Sequence, residues 1–315
     1  MEDRPGNTSV ATPCPAANHS NPQRTVTTWA IALCCLACQP VHAADHIDTD
    51  GPDYVESTEV VGAGRLQFET GPYLRNDTRN GARLRTSSTP LLLKAGLSET
   101  VEARLETDGY ARLYGTDPAG SPTLARSGFA DTALGLKWHV HDQTPGSLAP
   151  TLAWIAHLEM PSGSPALRGQ GVRPSLRAVL GWNLPFEMSL GVMPGLKYDT
   201  REDGHRYPPG ILGVVLGRWW TPRLRTFIES SAEQIARQEN GGVVLYKDIG
   251  AAYLLTDNWQ IGGRAGDVCI GNVKRDWQYG LNYYSPTPLP DCEKQPKALQ
   301  VLPGPAGRAY LGPAP

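Results

Sequence analysis

The sequence predicts an all-β chain, an antiparallel transmembrane β-barrel of about twelve strands. Three observations carry that reading: short segments with a two-residue polar/apolar period, connections that alternate between long and short, and aromatic residues gathered at one set of strand ends. Residues 186–197 show the period best. Phe186, Met188, Leu190, Val192, Pro194 and Leu196 alternate with Glu187, Ser189, Gly191, Met193, Gly195 and Lys197. A period of two is a strand with two different environments. Such a strand, rising ~3.3 Å per residue, can cross a bilayer core when tilted.

The strands are expected near 64–74, 88–97, 100–107, 128–140, 149–160, 173–183, 186–198, 208–220, 223–233, 242–255, 258–268 and 276–284. The turns after the second, sixth, eighth and tenth are tight, at Ser98-Glu99, Leu184-Pro185, Thr221-Pro222 and Thr256-Asp257-Asn258. A medium turn around Thr144-Pro145-Gly146 follows the fourth. The other connections, such as 108–127, 161–172 and 199–207, read as longer and polar. Short periplasmic turns opposite longer outer loops are the habit of an outer-membrane barrel. Trp138, Trp182, Trp219, Trp220 and Tyr284 fall at the ends of even-numbered strands, and Phe186 and Trp259 at the starts of odd-numbered ones, all on the periplasmic rim. There their rings would sit at the headgroup layer.

The polar phase gives the expected inner wall: Arg65, Glu69, Lys94, Glu102, Arg104, Glu106, Asp131, Lys137, His157, Glu159, Arg173, Arg177, Glu187, Lys197, Arg223, Arg225, Glu229, Asp248 and Arg264. A one-residue slip of register would turn these charges to hydrocarbon, where a mid-bilayer Arg or Lys costs ~2–4 kcal/mol. The bland role for them is a lattice of ion pairs that props the lumen. The functional one is a charged constriction, with Arg104, Lys137, Arg173, Arg177, Arg225, Glu102 and Asp131 as selectivity candidates.

Ahead of the barrel (64–284), the chain divides into an N-terminal extension with a secretion signal (1–43) and an acidic lead-in (44–63). Arg24 precedes the apolar run Trp29–Cys38, and Val41-His42-Ala43 suits cleavage before Ala44. Residues 1–23 are polar, and are either a long leader start or lie upstream of the true one. A Pro-rich tail, 285–315, follows the barrel. Cleavage would leave Cys269 and Cys292 on opposite rims. Those rims are ~25 Å apart, well beyond the ~7 Å that a disulfide spans, so free thiols are expected.

Composition excludes several classes. The net charge is −2, with 29 Lys and Arg against 31 Asp and Glu. No basic block suits nucleic acid. A mean hydropathy of −0.34 is too polar for a bundle of membrane helices. Asp48, Asp50, Asp53 and Glu56 resemble a calcium loop, but Asp53 stands where an EF-hand needs glycine. The plainer reading is a lead-in that hydrogen-bonds turns or inner-wall arginines. His139 and His141 are read as sharing a strand face without a third ligand, and His157 as the most inward histidine, paired with a lumenal acid. No spacing links Ser127, Ser162, Ser164 and His205 into a catalytic group. No catalytic residue, metal or cofactor is expected.

The sequence resembles the outer-membrane transporter family catalogued as the MetA-pathway of phenol degradation. The matching residues are Thr49-Asp50-Gly51-Pro52-Asp53-Tyr54-Val55-Glu56-Ser57 and Gly64-Arg65-Leu66-Gln67-Phe68-Glu69-Thr70-Gly71. Leu91-Leu92-Leu93-Lys94-Ala95-Gly96-Leu97, Val101-Glu102-Ala103-Arg104-Leu105, residues 128–137 and Leu158-Glu159-Met160-Pro161-Ser162-Gly163-Ser164 follow. The likeness covers about residues 48–284. It implies an outer-membrane barrel with an uptake role for aromatic or other hydrophobic carbon sources. Implied partners are outer-membrane lipid, a small-molecule solute and, during insertion, the barrel assembly machinery. The tail departs from the family's habit of ending at the last strand. Either the insertion signal around Gln278, Gly280 and Tyr283 works internally, or assembly of this member is inefficient. Two other functions fit the composition: a lipid-modifying barrel enzyme, and a soluble periplasmic β-sandwich that binds ligands.

Overall fold

A computed structural model describes residues 47–79, 81–201, 203–270, 274–275 and 278–283. The signal, the tail, Tyr284, Cys292 and the side chain of Cys269 lie outside the described residues, and with them the expectations of cleavage and free thiols.

Several strands are built from two segments joined at a kink. They are β1 (Leu66–Thr70 and Tyr73–Arg79), β2 (Ala82–Ser88 and Leu91–Gly96), β3 (Val101–Thr107 and Tyr110–Thr116) and β4 (Pro122–Phe129 and Thr132–His141). Then come β5 (Thr151–Met160), β6 (Arg173–Leu184), β7 (Met188–Lys197), β8 (Gly210–Thr221), β9 (Leu224–Ile235), β10 (Val243–Thr256), β11 (Trp259–Ile270) and β12 (Lys274–Arg275 and Gln278–Tyr283). Each pairs antiparallel with the next. β12 also pairs with β1, Tyr283 opposite Thr70 and Gly280 opposite Tyr73. The hydrogen-bonded ladder of the described strands therefore returns on itself. Among the described residues no helix is long and apolar enough to cross a membrane.

The four kinks fall side by side. Gly71-Pro72, Thr89-Pro90, Asp108-Gly109 and Ala130-Asp131 interrupt β1 to β4 at one height. Two of them carry proline, which has no N–H for the ladder. At a third, Gly109 takes φ 65°, and a Cβ there would run into the Thr89 carbonyl. The result is a crease, beyond which β1 to β4 continue as a polar extension of the wall.

This extension corrects the expected loops. Residues 108–127 are strand over most of their length, and the connection after β1 is only residues 80–81. Segments such as Tyr73-Leu74-Arg75-Asn76-Asp77-Thr78-Arg79 have no apolar phase, because a wall that rises beyond lipid does not need one. The long/short contrast holds elsewhere: 161–172, 198–209 and 236–242 at one rim, against 185–187, 222–223 and 257–258 at the other.

The two faces differ as the period requires. Leu134, Leu136, Leu158, Leu176, Leu196, Leu212, Ile228 and Ile249 point outward and are between 41% and 63% exposed. On the inner face of the same strands, Lys137, His157, Glu159, Arg177 and Glu229 are buried. A sandwich would pack its greasy faces together, and this chain turns them out. An arginine at Leu136 should cost ~2–4 kcal/mol if that residue sits at mid-bilayer. Chemical unfolding of Leu136→Arg in lipid vesicles checks this, with the exposed rim substitution Arg223→Ala expected to cost far less.

The aromatic girdle is partly as expected. Trp138, Phe186 and Trp220 project outward at the tight-turn rim. Trp219 takes the inward phase, and the half-buried Trp182 donates its indole N–H to the Leu148 carbonyl. A second outward group stands near the crease, with Tyr110 and Phe129 edge to face at 5.4 Å. Of the expected inner-wall charges, Arg65 and Arg223 are exposed at the tight-turn rim instead, while Glu187, exposed at the same rim, lines the lumenal cavity there. The two histidines do not share a face either. A register shift between His139 and His141 leaves His139 buried and His141 exposed.

Candidate functional site

The lumen is occupied by the chain's own lead-in. Residues 47–63 form no strand of the wall, and their acids meet the inner-wall cations. The Asp50 carboxylate accepts from Lys137 Nζ and Arg104 Nη2, both at 2.6 Å, and pairs with Lys94. Glu56 takes Arg177 at 2.6 Å and Arg104 at 3.1 Å. Asp53 holds the fork of Arg225 through two contacts of 3.0 and 2.7 Å, the bidentate geometry that guanidinium suits best.

The wall answers with its own acids. The backbone N–H groups of Tyr54 and Val55 donate to Glu229 at 2.8 Å, and that of Val61 to Glu102 at 2.8 Å. Lys137 also reaches the Glu59 carbonyl at 3.0 Å, and Gln260 donates to Thr49 Oγ1 at 2.6 Å. A non-regular segment inside a barrel has orphan backbone groups that must find partners. Here inward-facing side chains supply them.

Small residues make the space. A Cβ on Gly213 would lie 2.6 Å from Val55 Cγ2, and one on Gly262 3.0 Å from Pro52. Both glycines are on strands, where glycine marks a close backbone approach. Gly213→Val is expected to push Tyr54 and Val55 off the wall. Faster proteolysis of the lead-in in the folded protein would show it, and an unchanged cleavage rate would contradict the close approach.

One side of the lumen is apolar. Ala153, Ile155, Val179, Met193, Ile211, Val215 and Phe227 form a buried cluster on the inner faces of β5 to β9, and Tyr54 and Val55 cover it. Between the lead-in and these strands lies a cavity of ≈ 800 Å³. Its lining includes Asp48, Trp182, Trp219, Trp220, Arg225 and Gln260, so it sits toward the tight-turn rim. Burial holds the Asp48 and Glu59 carboxyls above the ordinary carboxylate range.

A second charged group lies toward the opposite rim. Asp131 accepts from Arg173 Nη2 and from the backbone N–H groups of Gly163 and Gly169, all at 2.8 Å. Arg173 also pairs with Glu159 at 2.9 Å, and Lys197 with Glu159 at 3.1 Å. The loop 161–172 is thereby tied down, and its Leu167 packs on Ala111 and Leu113 of the β3 extension. Asp131→Ala is expected to free this loop, visible as faster hydrogen exchange at the amides of Gly163 and Gly169 with the barrel amides unchanged.

All seven selectivity candidates thus lie on the inner side. Arg104, Lys137, Arg177, Arg225 and Glu102 grip the lead-in, while Arg173 and Asp131 hold the 161–172 loop. His157 is buried, with Nε2 3.6 Å from Glu106, although His139 is buried more deeply. Ser162 Oγ and Ser164 Oγ accept from the backbone N–H groups of Thr132 and Phe129 and so serve the loop's shape. Sequence reasoning gave no lumenal role to Tyr54, Val55 or the glycines facing them.

Comparison with known proteins adds the relationship. The family described as "Putative MetA-pathway of phenol degradation" matches residues 49–268. The chain belongs to this family. The phenol-pathway match begins at Thr49, so it takes in the lumenal lead-in as well as the strands. No curated protein matches the chain. The COG4313 outer membrane channel from Pseudomonas putida F1 is similar in structure, at 14% identity and a TM-score of 0.54, over 75% of this chain and 99% of that one. That likeness is one of fold. The NanC porin is more distant, at 9% identity and a TM-score of 0.45, over 70% of this chain and 100% of its own. A structure titled CymD monoaromatic hydrocarbon channel aligns at 8% identity and a TM-score of 0.41, over 72% and 89%.

Proposed function

We propose that the chain is an outer-membrane channel for passive passage of small aromatic or other hydrophobic solutes, exported through a cleaved signal and assembled into lipid. The observation that carries the reading is the apolar strip inside an otherwise charged lumen, from Ala153 to Phe227 across β5 to β9. A general porin for ions gains nothing from such a strip. A hydrophobic solute gains ~25 cal/mol for each Å² it withdraws from water. The outward greasy faces and the fold shared with an outer membrane channel support the membrane setting.

In this reading the lead-in is the movable occupant. Tyr54 and Val55 cover the strip, and a solute would displace or slide past them. The seven charged candidates act on selectivity through what they hold: Arg104, Lys137, Arg177, Arg225 and Glu102 through the lead-in, Arg173 and Asp131 through the loop. The chain is read as a channel rather than a catalyst.

Vesicles containing the purified protein should take up phenol-sized aromatics faster than protein-free vesicles, and Ile155→Asp should reduce the excess several-fold. No excess uptake, by the folded chain or by one lacking residues 47–60, would contradict the proposal. A second assay, hydrolysis of outer-membrane lipids by the folded protein, addresses the enzymatic alternative.

A further inference from the structure

His139 is nearly fully buried, and its two ring nitrogens face different chemistry. Nδ1 lies 3.0 Å from the Thr58 carbonyl. A carbonyl only accepts, so Nδ1 carries the proton and donates. Among the described residues Nε2 has no hydrogen-bond partner. Two carboxylates stand near the ring, one from Glu59 on the lead-in and one from Asp142 at the end of β4. The three ligand atoms lie within 4.8 Å of one another, and Nε2 is 3.4 Å from Asp142 Oδ1.

With Nδ1 turned to the carbonyl, Nε2 is the edge left facing the two carboxyl groups, and one shared cation there would join all three side chains. We propose that His139 Nε2, Glu59 and Asp142 bind a divalent cation of the zinc type, which staples the lead-in to the barrel wall. A backbone carbonyl fixing Nδ1–H while Nε2 takes the metal is the usual second contact of a ligating histidine. One nitrogen and two carboxylate oxygens suit zinc, whereas calcium and magnesium favour oxygen alone. With bonds of ~2.0–2.1 Å, a tetrahedral ion sets its ligand atoms about 3.3 Å apart. The His139–Asp142 spacing of 3.4 Å is close to that value, and the Glu59 carboxylate lies within 4.8 Å. The side chain of Asp142 is 62% exposed, which leaves a path from the tight-turn rim. The site depends on where the lead-in lies and not on what the channel carries.

The test is zinc titration of the full chain in detergent after chelator treatment, read by calorimetry and by the visible spectrum of the cobalt-loaded protein. One ion per chain is expected, with a tetrahedral cobalt signature. Glu59→Gln and Asp142→Asn should each weaken binding by about tenfold or more, and His139→Gln by about a hundredfold. Asp257→Asn, a rim acid outside the cluster, should bind as the parent does. A folded parent that takes up no zinc overturns the proposal, and so does a folded His139→Gln that binds equally. Should His139→Gln lose its heat-modifiable gel mobility, the exposed Asp142→Asn decides the matter, and unchanged affinity there overturns it.

Discussion

A chain lacking residues 47–60 is expected to conduct several-fold more current across a planar bilayer than the full chain, with a preference for anions. Those residues fill the lumen and neutralise its cations. Without them, Lys94, Arg104, Lys137, Arg177 and Arg225 would face water, with Glu69, Glu102 and Glu106 as partial counterweight and Glu229 still paired to Arg264. A lumen of that charge draws anions and repels cations, and the preference should fade with salt as the Debye length falls from ~10 Å at 0.1 M to ~3 Å at 1 M. The wall itself should survive, because its ladder does not include the lead-in. Equal conductance from two folded proteins would mean that the lead-in does not limit passage.

Asp50→Ala should have the largest effect of any single lead-in substitution. The Asp50 side chain is fully buried among Lys94, Arg104 and Lys137. Arg104 would keep Glu56 and Glu102, but Lys137 would lose its carboxylate partner and keep its hydrogen bond to the Glu59 carbonyl. Removing one partner of a buried ion pair costs ~3–5 kcal/mol, because the charge left behind is neither paired nor hydrated. The loss falls on the seating of the lead-in. Hydrogen exchange at the Tyr54, Val55 and Val61 amides should accelerate by on the order of a hundredfold or more, while strand amides hold their rates. Asp50→Asn, which keeps the shape and two hydrogen-bonding groups, should fall between.

How much of this was legible in the sequence depends on what sets each feature. The membrane part of the wall was legible, because lipid on one side and a lumen on the other impose a period of two, and Leu134/Leu136 against Ala133/Lys137 display it. The extensions of β1 to β4 were not. Beyond the crease both faces of Arg75–Thr78 and Arg83–Ser87 tolerate polar residues, so the pattern that marks a strand is erased and the segment reads as loop. The inner charges were legible by phase, but their partners were not. Asp50 meets Arg104 and Lys137 across 54 and 87 residues, and no local rule reaches that far. A signal existed all the same: acids at 48, 50, 53, 56 and 59 ahead of a wall rich in inward Arg and Lys. His139 shows the opposite error. Strict alternation put His141 on its face, and a bulge, which a two-residue period cannot register, turned His141 away.

The central claim is that residues 47–63 lie inside a cylinder whose greasy side faces lipid. A disulfide trap tests it most directly. A Cβ built on Gly191 lies 3.9 Å from Val55 Cβ, within the ~3.5–4.5 Å range that a disulfide requires. Val55→Cys combined with Gly191→Cys, with Cys269 and Cys292 changed to serine, should form a bridge in membranes. That bridge should hold conductance at its low level until a reductant is added. Two free thiols in the folded, membrane-inserted protein under oxidising conditions would place the lead-in elsewhere and contradict the account.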